Sequence, residues 1–161
     1  MLKSCATTDQ NEIIRRTAVQ ELALNFKDDP ETLTWLKTRA TTDQHWDVRR
    51  TAVGELARRF KDDPETLTIL KSRATTDKNS RVRCTAVGEL ARGFQDDPET
   101  LTILKSRATT DQDSWVRGTA MQELVRGFKD DPETLTILKS CATTDQSWRV
   151  RKTVVEELTR G

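Results

Sequence analysis

One feature limits what this chain can fold into: it repeats itself every 34 residues from end to end. Prolines stand at 30, 64, 98 and 132, each inside the same Asp-Asp-Pro-Glu-Thr-Leu-Thr run, with nothing inserted between them. A fixed period of this size marks a solenoid, in which each unit is too small to bury its apolar face alone and does so against its neighbours. A continuous coiled coil is excluded, because a proline in every unit would interrupt it.

The unit from Pro64 to Asp97 reads as two helices. Asp63 can cap the first, Pro64 suits its opening position, and Glu65 complements its dipole. Leu67, Leu70 and Ala74 fall on one stripe at helical spacing. Thr75-Thr76-Asp77 is expected to end this helix, since short polar side chains compete for backbone hydrogen bonds. A second helix is predicted from a cap at Asn79 to about Phe94, with Val82, Ala86, Val87, Leu90 and Phe94 as its apolar stripe. Gly93 and Gln-Asp-Asp then close the unit.

The tetratricopeptide repeat has the same length, but its Trp, Gly and Tyr positions hold Leu36, Ala40 and Asp43 here. The run Asp43, Val48, Arg49, Ala52, Leu56 instead resembles the HEAT-type repeat, D-x4-V-R-x2-A-x3-L. It recurs in phase as Asp77, Val82, Arg83, Ala86, Leu90; as Asp111, Val116, Arg117, Ala120, Leu124; and as Asp145, Val150, Arg151, Val154, Leu158. The resemblance covers essentially the whole chain. It implies an all-α superhelix of about five helix pairs, divided at 1–29, 30–63, 64–97, 98–131 and 132–161. It also implies a ladder of bonds between turn aspartates and helix arginines of successive units: Asp43, Arg49, Asp77, Arg83, Asp111, Arg117, Asp145 and Arg151. The internal proline of many HEAT first helices is missing, so straight first helices are expected.

Met1 stands where later units have Trp35, Ile69, Ile103 and Ile137, so the first unit starts midway through its first helix, a remnant too short to hold alone. The far end stops at Leu158-Thr159-Arg160-Gly161, where other units continue into Phe. A segment of a longer array is the expectation, with end-to-end self-association through uncapped ends as a corollary. The hydrophobic share is 34% and the charged share 33%, as a thin stack requires; disorder would not keep the apolar phasing. Twenty-seven basic against 26 acidic residues give no electrostatic reason to expect nucleic acid or membrane as partner. Cys5, Cys84 and Cys141 are scattered through separate units, which fits reduced thiols in a cytoplasm rather than a disulfide framework.

Chemistry finds no foothold. His45 is the only histidine, at a helix start where a capping role is the simpler reading. No cysteines have metal-ligand spacing, and Gly54, Gly88 and Gly118 lie singly rather than in a phosphate loop. The Asp-Asp-Pro-Glu clusters recur in every unit, whereas an active site needs one special place. No catalytic, cofactor or metal site is expected, and the chain is not expected to be an enzyme.

Function must lie where the units differ. In the second helix, variation gathers at the positions of Trp46, Asp47, Arg50 and Gly54, about a third of the circumference opposite the apolar stripe. Stacking aligns these with Arg81, with Trp115 and Gly118, and with Trp148, Arg149 and Lys152. In HEAT-like solenoids the second helices line the concave side, which the resemblance makes a partner-facing surface. Trp46, Trp115 and Trp148, mixed with arginine, either anchor a partner or cover the joints between units. Trp35 reads as packing, and Lys105, on a first helix, as outer-face and uninvolved. The expected function is a non-catalytic scaffold holding a protein or peptide of unspecified identity; the resemblance implies a portion of a larger bacterial signalling protein, such as a NACHT-type NTPase. HEAT-like bilin lyases or chaperones and DNA glycosylases are the alternatives, opposed by neutral charge and a lone histidine.

Overall fold

The structure, a computed structural model, describes residues 8–160. The shortened first helix predicted at the N-terminus, and Cys5 with it, lie outside the described residues. Helices over Glu12–Asn25 (α1), Pro30–Thr42 (α2), Trp46–Arg59 (α3), Pro64–Thr76 (α4), Ser80–Gly93 (α5), Pro98–Thr110 (α6), Ser114–Phe128 (α7), Pro132–Thr144 (α8) and Trp148–Arg160 (α9) follow one another, with no strand among the described residues.

Each first helix is started by its own sequence. Asp29, Asp63, Asp97 and Asp131 accept the N–H of the glutamate two residues on, and the intervening proline gives up only an N–H that a helix start leaves unpaired. The expected break over Thr75-Thr76-Asp77 falls at its last residue: Asp77 leaves the helix, while Thr75 and Thr76 remain in it. The threonine hydroxyls bond carbonyls of their own helix, Thr75 to Lys71 at 2.9 Å and Thr76 to Ser72 at 2.7 Å, so they do not compete for the backbone. Asn11, His45, Asn79 and Asp113 cap the second helices.

The core is one continuous seam between the layers. Leu36, Leu56, Leu70, Leu90, Leu104 and Leu124, with valines and alanines between them, are fully buried. Among the described residues α3, α5, α7 and α9 each pack on the first helix of their own unit, and consecutive second helices from α1 to α9 pack on one another. The second helices (α1, α3, α5, α7, α9) meet one another far more extensively than the first helices do. A stack held closely on one side and loosely on the other bends toward the close side, which makes the second-helix layer the inner one. The packing is all-α and superhelical, as the period requires.

Candidate functional site: the inner face of the second helices

The face is positioned by a polar seam along the turns. Arg49 Nε and Nη2 donate to the two carboxylate oxygens of Asp77 at 3.0 and 3.1 Å, while Nη1 donates to the Asp43 carbonyl of its own turn at 2.8 Å. Arg15 forks Asp43, Arg83 forks Asp111 and Arg117 forks Asp145 in the same geometry. Each arginine therefore grips its own turn by a carbonyl and the next turn by a carboxylate. Arg151 keeps the first of these, donating to the Asp145 carbonyl. Each aspartate also accepts the N–H two residues on, so the same carboxylate aims the start of the second helix. Burial pushes these carboxyls up, but the arginine fork and the backbone N–H outweigh it, and Asp43, Asp77, Asp111 and Asp145 all sit below the usual carboxylate value.

Sequence reading missed several members of this frame. Arg39, Arg73 and Arg107 add a second cation to Asp43, Asp77 and Asp111 at 3.1–3.2 Å. Lys37, Lys71 and Lys105 reach from one first helix to the cap aspartate and first-turn glutamate of the next; Lys105 lies 3.0 Å from Asp131 and 3.3 Å from Glu133. Lys105 is thus on a first helix, as expected, but it is a joint residue rather than a free one.

On the inner face the variable residues form two groups. Trp46, Asp47, Arg50 and Arg81 meet across the α3–α5 joint. Trp46 is half-buried against the core; Arg50 and Arg81 guanidinium carbons lie 5.9 and 5.0 Å from its ring centre, and the His45 ring stacks beside it at 5.7 Å. Asp47 accepts from Arg50 at 2.6 Å and from Arg16 of the preceding unit at 2.7 Å. Burial raises the Asp47 carboxyl, and these two arginines more than reverse it. His45 Nδ1 accepts the Asp47 N–H at 3.1 Å, the helix-capping geometry.

Trp115, Trp148, Arg149 and Lys152 gather at the α7–α9 joint. They line an open cleft of about 380 Å³ together with Gly118 and Glu156. Gly118 makes the space: a Cβ added there would meet nothing within 4 Å, whereas the equivalent positions carry Arg16, Arg50, Cys84 and Lys152. Trp115 and Trp148 are 68% and 61% exposed, unlike half-buried Trp46. Arg149 stacks over Trp148 at 5.5 Å, and Lys152 approaches Glu156 at 3.7 Å. Trp35 is half-buried on the outer layer, away from both groups.

Among the described residues there is no group of three or more His, Cys, Asp or Glu able to hold a metal ion. Cys84 and Cys141 have thiols pushed up by burial, the reverse of a reactive cysteine. No described helix is long and apolar enough to cross a membrane.

The family model for HEAT repeats matches residues 1–91, 42–125 and 74–159. No curated protein matches the chain. Among solved structures, the complex of CpcE and CpcF of phycocyanin lyase from Nostoc sp. PCC7120 is similar, with a TM-score of 0.69 at 20% identity, over 98% of this chain and 95% of that one. At that identity the likeness is one of fold.

Proposed function

Given that the chain belongs to the HEAT-repeat family, we propose that it is a non-catalytic scaffold that holds a partner protein or peptide on its inner face. The observation that carries this reading is the α7–α9 cleft, where two large indoles stand in solvent beside Arg149 and an unfilled Gly118. Exposing such apolar surface has no folding benefit, and Trp with Arg is the pairing most enriched where interfaces concentrate their energy. Trp46, Asp47, Arg50 and Arg81 extend the same surface, and its natural setting is a larger bacterial signalling protein in the cytoplasm. The test takes a partner captured by the intact chain and measures its affinity for variants. Trp115→Ala is expected to cost roughly 2 kcal/mol of binding while leaving the unfolding midpoint in place. An unchanged affinity with a lowered midpoint would make the indole structural and remove the reading.

A second reading comes from the phycocyanin lyase structure: a bilin lyase or chaperone role. Two indoles with Arg149 and Lys152 would suit a flat, conjugated acid. Titrating a bilin and watching its visible absorption band decides this; an unmoved band excludes it.

A further inference from the structure

We infer that the occupant of the inner face is an extended acidic peptide, with one bulky apolar side chain entering the cleft at Gly118 between two carboxylates. The inference rests on the scaffold reading and specifies the chemistry of its partner. Ile13, Asp47, Arg81, Trp115 and Arg149 occupy one position in successive units, and so form a row across the second helices. The first part of the row is electrically satisfied: Arg16 and Arg50 both spend their charge on Asp47. Beyond it, Arg81 and Arg149 have no carboxylate partner among the described residues. Each is held only against an indole, Arg81 on Trp46 and Arg149 on Trp148. Stacking of this kind orients a guanidinium and leaves its N–H edge free to fork a carboxylate.

Between these two cations stand exposed Trp115 and the empty space over Gly118. The row therefore reads cation, apolar cleft, cation. Two helix-to-helix steps separate the arginines, about 20 Å at the usual packing distance. An extended chain advances about 3.3 Å per residue, so the matching carboxylates are about six residues apart, with the apolar residue near the middle. A single-stranded nucleic acid also pairs with Trp and Arg. It would, however, carry an unbroken row of phosphates past Asp113 at the start of α7 and Glu156 in the cleft wall, where like charges repel. Isolated carboxylates avoid both.

The experiment is selection of a displayed random peptide library on the intact chain, followed by affinity measurement of the winning peptide with a fluorescent label. Winners should carry two acidic residues about six apart around an apolar one. Trp115→Ala should weaken binding roughly thirty-fold, and Arg81→Glu and Arg149→Glu about ten-fold each or more. Gly118→Arg should abolish it. That variant restores the residue found at positions 16 and 50, and its helical signal checks that it folds. Winners that lack acidic residues yet are lost in Gly118→Arg would overturn the acidic assignment and spare the scaffold reading. Winners indifferent to Gly118→Arg and Trp115→Ala would overturn both. A failure to enrich any peptide, or displacement of the winner by a thymidine oligonucleotide at equal concentration, would sink the acidic-peptide inference alone.

Discussion

Replacing Arg83 by alanine tests how the stack is held. The Arg83 side chain is 13% exposed and its partner Asp111 only 1%. The substitution removes two bonds to a carboxylate, at 3.0 and 3.0 Å, and one to the Asp77 carbonyl at 2.9 Å. A hydrogen bond to a charged group is worth about 1.5–3 kcal/mol net, and breaking one side of a buried pair typically costs about 3–5 kcal/mol. Asp111 is not left bare, because Arg107 at 3.2 Å and the Asp113 N–H at 2.9 Å remain. The expected loss is therefore about 2–4 kcal/mol, read from urea unfolding followed by far-ultraviolet circular dichroism. Lys152→Ala is the control: its pair with Glu156 is long and its side chain 66% exposed, so it should move stability by no more than about 0.5 kcal/mol. A double-mutant cycle with Asp111→Ala should return a coupling of about 1–3 kcal/mol. If Arg83→Ala falls within error of Lys152→Ala, or if high salt erases its effect as it would for a solvated pair, the seam does not hold the units together.

Acid should dissolve the same seam. The four turn carboxyls are held below their usual value, so the stability they contribute is fully present above the unfolded value near about pH 4 and is lost as pH falls through and below it. Urea midpoints should be nearly level from neutrality to about pH 5 and then drop steeply; a midpoint that rises on acidification would contradict the assignment. Gly118→Ala should stabilise α7 by about 1 kcal/mol, since its Cβ enters open space and the helix loses a flexible residue. Gly88→Ala should gain less, because the Arg92 guanidinium already occupies the place of a Cβ. Equal gains at both sites, compared by urea midpoint, would show that the guanidinium contact is idle.

The helix pairs, their caps and the leucine core were legible because they follow from local spacing that the period repeats. Which residue of Thr75-Thr76-Asp77 ends the helix was not legible, since a threonine that bonds back into its own helix looks in sequence like one that breaks it. The lysine joints were invisible for a different reason. Lys71, Asp97 and Glu99 recur in every unit, and comparison between units cannot tell an invariant contact from an invariant solvated face. The tryptophans show the reverse limit. Trp46 is half-buried because Arg50 of its own unit and Arg81 of the next lie over its ring, and spacing within one unit does not reveal the second of these.

The turn seam and the α7–α9 surface are built from different residues: Asp77, Arg83, Lys71 and Asp97 hold the stack, while Trp115, Trp148 and Arg149 stand outside the seam, and Asp47 serves both roles through its pair with Arg16 of the preceding unit. From the second unit to the fifth, each boundary offers the same lysine and arginine donors to the same carboxylates, so any of these units is a grammatical successor to another. The identical sequences of α4 and α6 are what tandem duplication of such a unit would leave. A gene of this kind can lengthen, shorten or reorder its product without a new packing problem at each step. Each copy's outward letters are then free to diverge one at a time, so recombination sets the reach of the face and point mutation writes its text.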